Sequence, residues 1–153
     1  MPLFDYLPTD GVMIGLSATS KKQLIEKIAE HAGSLTGLST RAVFDALMQR
    51  ERLGSTAIGG GIAIPHAVFA DLANSVVIIS ILEKPVGFDS HDKKPVDIIC
   101  TILGPDQADC DHLKLLSTAA KRLAVDSLCD GLRGARTAND VRRCLQPSQA
   151  TAA

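Results

Sequence analysis

The sequence predicts an α/β domain in which helices cover both faces of a central sheet. Residues 76–82 and 96–103 form two nearly continuous apolar runs, which are typical of strands buried on both faces. Segments with apolar residues at helical spacing lie before and after these runs. Helices must therefore cover both faces of the sheet. The length of 153 residues matches one ordinary domain, which we expect to span residues 1–146.

The first half of the chain contains one predicted strand and two predicted helices. Residues 12–16 form a short strand candidate, and Ser20 is a suitable N-cap for the helix that follows. We expect this helix to break between residues 33 and 37, and Ser39 or Thr40 to begin the second helix. The apolar positions that define the two helices are Leu24, Ile25, Ile28, Ala29 and Ala32 in the first and Val43, Phe44, Leu47 and Met48 in the second.

Three more helices are predicted after the strands. The glycine and proline at 104–105 end the last strand, and residues 112–124 then carry an apolar stripe at helical spacing. Residues 126–132 and 137–145 are shorter candidates, the second with Thr and Asp at the spacing of a capping box. The small and polar residues of 147–153 predict a disordered tail.

The charge balance argues against nucleic acid as a partner. The chain has 16 basic and 17 acidic residues, with no dense block of Lys and Arg, and aromatic residues make up only 3% of it. No signal-peptide pattern opens the sequence, and no apolar stretch approaches the roughly 20 residues needed to cross a bilayer. We therefore expect a cytoplasmic protein without membrane insertion.

The cysteine spacing argues against a metal site. Cys100, Cys110, Cys129 and Cys144 are widely separated and form no C-x-x-C pair, which indicates reduced thiols. Cys110 and His112 are two residues apart and would diverge on a helix. The phosphate-loop pattern of nucleotide-binding proteins is also absent, so we expect neither a metal nor another cofactor.

A glycine-rich segment that leads to a histidine is the strongest functional signal. Residues 54–67 read GSTAIGGGIAIPHA, which places His66 just past a flexible loop and a short apolar strand. Pro65 fixes φ and lacks an N–H, so we expect His66 at a strand end or sheet edge. His112 opens a later helix and Arg50 lies at the end of the helix before the loop, so the three residues can converge on one phosphate.

These residue types suit phosphoryl transfer through a histidine. A neutral imidazole can attack a phosphoryl group and hold it as phosphohistidine. The helix N-terminus favours a neutral His112 that donates one N–H to phosphate, and the guanidinium of Arg50 matches phosphate geometry. The hydroxyls of Ser55 and Thr56 and a glycine backbone such as that of Gly61 can approach the same group.

Several short motifs along most of the chain are typical of one protein family. They are SKK at 20–22, RERLGST at 50–56, GIAIPH at 61–66, FD at 88–89, PVD at 95–97 and HL at 112–113. Over about residues 7–145, the sequence resembles the enzyme IIA proteins of the bacterial phosphotransferase system, of the fructose and mannitol type and especially its nitrogen-regulatory branch. The chain has Ala57 and Ala67 where that family often has Gly.

The resemblance implies a fold and a site. The fold would be a three-layer α/β/α sandwich with a central mixed sheet. His66 would be the phosphorylated residue, as tele-phosphohistidine, with His112 and Arg50 supporting the phosphate. The chain would then be a phosphoryl carrier within the phosphotransferase system and not an independent enzyme acting on a small molecule.

The resemblance also implies partners. The phosphoryl group would arrive from a histidine phosphocarrier protein that is fed by phosphoenolpyruvate through an enzyme I. Nitrogen-regulatory members use their phosphorylation state to change which proteins they bind, such as sensor kinases or potassium-transport regulators. Sugar-type members instead pass the phosphoryl group to a IIB permease domain, and this alternative stays open. We favour the regulatory role.

Other interpretations of the individual residues also remain at this stage. His66 can be a hydrogen-bonded structural histidine, and His112 an ordinary helix-start histidine on the same face as Leu115. Arg50 can simply neutralise Glu51 or a helix end. Hydrolysis by a histidine pair ranks low, because no serine or cysteine nucleophile with an ordered carboxylate is evident.

Overall fold

The computed structural model describes residues 2–107 and 111–146, so Cys110 and the predicted tail over 147–153 lie outside the described residues. Within these ranges, five α-helices and a short 3₁₀ helix surround one six-stranded sheet. The elements in chain order are the 3₁₀ helix Leu3–Tyr6, β1 Val12–Leu16, α1 Lys21–Thr36, α2 Thr40–Arg52, β2 Ala57–Gly59, β3 Ile62–Ala63, β4 His66–Phe69, β5 Val76–Val86, β6 Val96–Pro105, α3 His112–Leu123, α4 Asp126–Arg133 and α5 Ala138–Leu145.

The sheet is mixed and has helices on both faces. Its strand order is β1-β5-β6-β3-β2, and β4 also pairs with β6. β1 runs parallel to β5, and β3 and β4 run parallel to β6, whereas β5 with β6 and β2 with β3 are antiparallel. The sheet packs in two hydrophobic cores. Buried residues of α1 and α2 contribute to one core, and buried residues of α3, α4 and α5 contribute to the other. The predicted three-layer α/β/α sandwich with a central mixed sheet is confirmed.

Successive residues of the two central strands enter different cores. In β5, Val77 and Ile79 pack in the core with α3, α4 and α5, while Ile78 packs in the core with α1 and α2. In β6, Ile98 and Ile99 divide in the same way, and all five side chains have no exposed surface. The near-continuous apolar runs in the sequence follow from this, because neither face of these strands meets solvent.

Side-chain caps confirm three predicted helix starts. The hydroxyl oxygens of Ser20, Ser39 and Thr137 each accept a hydrogen bond from the backbone N–H three residues later. In α5, the Asp140 carboxylate also accepts the N–H of Thr137, which completes the predicted capping box.

The predicted break in the first helix begins too early. α1 continues through Gly33 to Thr36, and its C-cap is Gly37, where φ is +79°. A Cβ atom at residue 33 would lie 3.0 Å from the carbonyl oxygen of Leu38 and from Oγ1 of Thr40. Gly33 therefore allows the start of α2 to approach α1 closely and does not end the helix.

Two short strands bring the glycine-rich segment onto the sheet. β3 and β4 pair with successive parts of β6, with Ile62 opposite Ile98 and His66 opposite Ile102. The N–H of Ile102 donates to the carbonyl oxygen of Pro65 at 2.9 Å. His66 is the first residue of β4, so its predicted position at a strand end is confirmed.

Candidate functional site

The structure brings the two predicted histidines and the predicted arginine together. The ring centroids of His66 and His112 are 6.0 Å apart, and their planes make an angle of 56°. Nε of Arg50 donates to Nε2 of His66 at 3.2 Å. The three residues come from the start of β4, the start of α3 and the last turn of α2. His66 is only partly buried, so its ring can be reached from solvent.

His66 lines a pocket of about 220 Å³ whose wall is partly apolar. The residues around it are Arg50, Ser55, Thr56, Ala57, Ile58, Ile64, His66 and Leu116. A group bound to His66 here would face one permanent positive charge among mainly uncharged neighbours. Such surroundings strengthen the attraction between a guanidinium and an anion, because less water screens it than at an open surface.

A backbone carbonyl determines which nitrogen of His66 is free. Nδ1 lies 2.8 Å from the carbonyl oxygen of Ile64. Because a carbonyl only accepts hydrogen bonds, Nδ1 carries the ring proton. Nε2 of the neutral ring then holds the lone pair, in agreement with the hydrogen bond that it accepts from Arg50. A nitrogen with an available lone pair is the nucleophile that phosphoryl transfer requires.

The surroundings of both rings favour the neutral imidazole. Burial lowers the pKa of His66 below its usual 6.5, the carbonyl of Ile64 raises it, the charge of Arg50 lowers it, and that of Glu51 raises it, with a net decrease. Burial also lowers the pKa of His112, and the neighbouring His66 adds to that effect. Since both shifts go down from 6.5, both rings are mainly neutral at neutral pH.

His112 packs against the backbone of β6. A Cβ atom at residue 104 would lie 2.5 Å from Nδ1 of His112, so Gly104 makes room for the ring. Nδ1 is buried and has no hydrogen-bond partner within the described part of the chain. Because a buried N–H without an acceptor is costly, the neutral ring is better protonated on Nε2.

Two predicted phosphate-loop hydroxyls line the pocket but already have partners. Oγ of Ser55 donates to the carbonyl oxygen of Phe88 at 2.5 Å, and Oγ1 of Thr56 donates to the carboxylate of Glu51. In this state the hydroxyls anchor the loop to neighbouring elements and are not directed at a bound phosphate.

Gly61, the third predicted loop residue, does not line the pocket. Its φ is +84°, which favours glycine, and a Cβ atom there would lie 2.7 Å from Nη2 of Arg133 and 2.9 Å from Oδ1 of Asp97. Arg133 also donates to the carbonyl oxygen of Gly60. Gly61 therefore serves the contact between the β2–β3 turn and α4.

Glu51 is a residue at the site that the sequence analysis did not single out. Its side chain is only 2% exposed and forms an ion pair with Lys21, with Nζ and Oε2 2.7 Å apart. The guanidinium of Arg50 donates to His66 and to the carbonyl oxygen of Gly54. The charge that neutralises Glu51 is therefore that of Lys21.

The sequence does contain a signal for Glu51. It follows Val43 and Leu47 at intervals of four residues, and these three are the buried positions of α2. A charged residue on an otherwise apolar stripe needs a buried partner, because an unpaired charge is very costly to bury.

The described residues show no metal cluster and no membrane-spanning helix. No three His, Cys, Asp or Glu side chains among them are grouped so that they could hold a metal ion. None of the helices built from them is both long enough and apolar enough to cross a membrane. Cys100, Cys129 and Cys144 are free thiols.

Residues 5–147 match the protein family described as the phosphoenolpyruvate-dependent sugar phosphotransferase system, EIIA 2. The match covers nearly the whole chain and includes both histidines and Arg50. The chain belongs to this family.

Within the family, the similarity is stronger to nitrogen-regulatory proteins. The nitrogen regulatory protein of Bradyrhizobium diazoefficiens is 39% identical over 153 residues, which is 100% of both chains. The crystal structure of nitrogen regulatory protein IIA-Ntr from Neisseria meningitidis matches with a TM-score of 0.88 and 34% identity, over 94% of this chain and 99% of that chain.

A sugar-specific relative shares the fold. The crystal structure of IIA mannitol from Escherichia coli matches with a TM-score of 0.76 over 91% of this chain and 98% of that chain, but at 19% identity. The comparisons therefore support the nitrogen-regulatory interpretation, and the sugar-specific role is the weaker alternative.

Proposed function

We propose that His66 is the phosphoryl acceptor of a nitrogen-regulatory IIA protein, and that the phosphoryl group comes from a histidine phosphocarrier protein. The main support is the hydrogen bond from Nδ1 of His66 to Ile64, because it leaves Nε2 as the nucleophile beside Arg50. His112 and Arg50 are the proposed supporting groups, and the proposed place of action is the cytoplasm.

In the proposed transfer, the lone pair on Nε2 of His66 attacks the phosphorus of the donor's phosphohistidine. The new N–P bond forms as the donor's N–P bond breaks, and the bonding electron pair of the old bond stays on the donor's ring nitrogen. The His66 proton remains on Nδ1, held by the carbonyl of Ile64. Arg50 moves its hydrogen bond to a phosphoryl oxygen, and Nε2–H of His112 donates to another.

Exposed apolar side chains beside the site support docking of a protein donor. Ile58 lines the pocket and is 45% exposed, and Leu113, next to His112, is 78% exposed. Val68 lies two residues after His66 in β4, on the same face of the strand, and is 42% exposed. A carrier protein that covers these side chains would bring its own phosphohistidine to His66.

Mass spectrometry of the intact protein tests the acceptor. After incubation with phosphoenolpyruvate, enzyme I and the phosphocarrier, we expect a mass increase of a single phosphate. His66→Ala should abolish it, whereas His91→Ala, a substitution in an exposed loop, should not. A phosphate that remains in the His66→Ala protein would refute the assignment.

A second experiment separates regulation from sugar transport. The purified phosphoprotein is mixed either with membranes plus fructose or mannitol, or with a candidate sensor kinase or potassium-transport regulator. The regulatory proposal predicts no sugar phosphorylation and capture of a regulator that depends on the phosphorylation state. Efficient transfer to sugar would instead establish the sugar-specific alternative.

A further inference from the structure

We infer that Glu51 is a positioning residue for the phosphoryl acceptor, and that it acts through Thr56 and Ile64 to hold the His66 ring in the orientation that exposes Nε2. The inference rests on the proposed function of His66. It assigns a role to a buried ion pair that the transfer chemistry itself does not use.

A continuous series of contacts links Glu51 to the acceptor ring. The Glu51 carboxylate accepts both the N–H of Thr56, at 3.2 Å, and the hydroxyl of Thr56. The carbonyl oxygen of Thr56 accepts the N–H of Ile64 at 3.0 Å. The carbonyl oxygen of Ile64 in turn accepts Nδ1–H of His66 at 2.8 Å. Each step fixes the position of the group that makes the next one.

The buried position of the carboxylate makes this anchor rigid. The side chains of Glu51 and Lys21 are 2% and 18% exposed, and their charged atoms are 2.7 Å apart. Lys21 is further placed by Phe88, whose ring centroid is 4.5 Å from Nζ. A buried ion pair adds little net stability compared with apolar residues, but removal of either partner is costly. We therefore assign the ion pair a role in fixing the position of Thr56 and not in adding stability.

The same anchor determines where Arg50 lies. Arg50 precedes Glu51 in the last turn of α2, so a Glu51 held by α1 and by the loop also holds that turn. Two groups hydrogen-bond to the His66 ring: the carbonyl of Ile64 at Nδ1 and the guanidinium of Arg50 at Nε2. Glu51 thus supports both of them. Loss of that support should disturb both contacts.

Three substitutions test the inference. Thr56→Val removes the hydroxyl while keeping the shape, Thr56→Ser keeps the hydroxyl, and Glu51→Gln removes the charge. Thr137→Val is the matched control, because the hydroxyl of Thr137 caps α5 far along the chain from the site. If Glu51→Gln does not fold, the two substitutions at Thr56 still decide the outcome.

The first measurement is the tautomer of His66, read from the ¹⁵N chemical shifts of its ring above its pKa. We expect the native protein and Thr56→Ser to show the Nδ1–H form. Thr56→Val and Glu51→Gln should show a mixture of tautomers, while the shifts of His112 stay unchanged. A purely structural role would lower the unfolding midpoint without moving the tautomer.

The second measurement is the rate of phosphorylation by the phosphocarrier. Loss of positioning should lower the maximal rate by about 10-fold to 100-fold, with little change in the KM for the carrier, and Thr56→Ser should restore it. Thr137→Val should match the native rate.

The outcomes distinguish this inference from the proposed function. If Thr56→Val and Glu51→Gln retain both the Nδ1–H tautomer and the native rate, Glu51 is not a positioning residue, although His66 remains the acceptor. If the native protein gains no phosphate on His66, the proposed function fails first and the inference fails with it.

Discussion

At the scale of single residues, Arg50 has different partners in the two states of the proposed reaction. Without phosphate, its guanidinium donates to Nε2 of His66 and to the carbonyl oxygen of Gly54. A phosphoryl group on Nε2 would replace a weak neutral acceptor with an anionic one. Arg50 should therefore stabilise the developing phosphohistidine more than the free histidine, which is the condition for raising the rate.

Arg50→Ala should slow phosphorylation of His66 and shorten the lifetime of the phosphoprotein. Loss of one strong donor to a developing anion typically costs about 100-fold to 1,000-fold in rate. Arg50→Lys keeps the charge but not the planar fork, so it should recover only part of the loss. Quenched-flow phosphorylation and a hydrolysis time course measure both effects.

Arg52→Ala is the matched control, because Arg52 is an exposed arginine in the same helical turn. If Arg50→Ala and Arg52→Ala leave rate and lifetime equally unchanged, Arg50 has no role at the site.

The sequence predicted that His66, His112 and Arg50 can converge, and the structure places the three side chains together. The meeting of His66, His112 and Arg50 followed from their types and their places at element ends. The ion pair of Glu51 with Lys21 did not, because it joins positions 30 residues apart in the chain (51 against 21). Periodicity could mark Glu51 as buried, but not what it would meet.

At the scale of elements, the site depends on how closely α3 approaches β6. His112 begins α3, and its ring lies where the side chain of any residue larger than glycine at position 104 would be. The neighbouring Leu115 and Ala119 bury the same side of the helix against the sheet. The distance between His112 and His66 is therefore determined by packing between these two elements.

Gly104→Ala should displace His112 and lower the rate of phosphoryl transfer. The added Cβ would lie 2.5 Å from Nδ1, so either the ring or the helix must move. Overpacking of this kind typically costs about 1–3 kcal/mol of stability. We expect a lower urea midpoint, changed ¹⁵N shifts of the His112 ring and slower phosphorylation.

Gly87→Ala provides the control, since a Cβ at that position has no atom within 4 Å. Native His112 shifts and a native rate in Gly104→Ala would contradict the packing argument.

Element boundaries were predictable where a cap marks them. Ser20, Ser39 and Thr137 mark helix starts in the sequence, and the structure confirms each one. β2, with three residues, and β4, with four, were not predicted as strands, because such short segments carry too little periodicity to be separated from a loop. They exist because β3 offers β2 an edge to pair with, and β6 offers one to β4.

At the scale of the whole molecule, the strand order could not be read from the sequence. The pairing of β1 with β5 and of β4 with β6 joins segments that are far apart in the chain. Local patterns predict that strands exist and are covered on both faces, but not which edges meet. The resemblance to a known family supplied the mixed sheet, and the structure confirms it.

The stability of the folded molecule should fall as the pH decreases below the usual histidine pKa. The pKa values of His66 and His112 are lowered from 6.5 in the folded state, so the unfolded chain binds more protons between those lowered values and 6.5. The free energy of unfolding therefore rises with pH in this window. The contribution of the two histidines to it is lost as the pH falls through the window. Urea midpoints at about pH 7.5 and about pH 5.5 measure the change.

His112→Asn should reduce this pH-dependent loss, whereas His91→Asn, in an exposed loop, should not. An identical loss in His112→Asn and in the native protein would show that His112 does not contribute to it.

The most direct test of the account is to identify the atom that carries the phosphoryl group. We expect ¹H–¹⁵N correlation spectra of the phosphorylated, ¹⁵N-labelled protein to show phosphorus bonded to Nε2 of His66, with Nδ1 still facing the carbonyl of Ile64. Phosphorus on Nδ1 of His66, or on any other residue, would contradict the account.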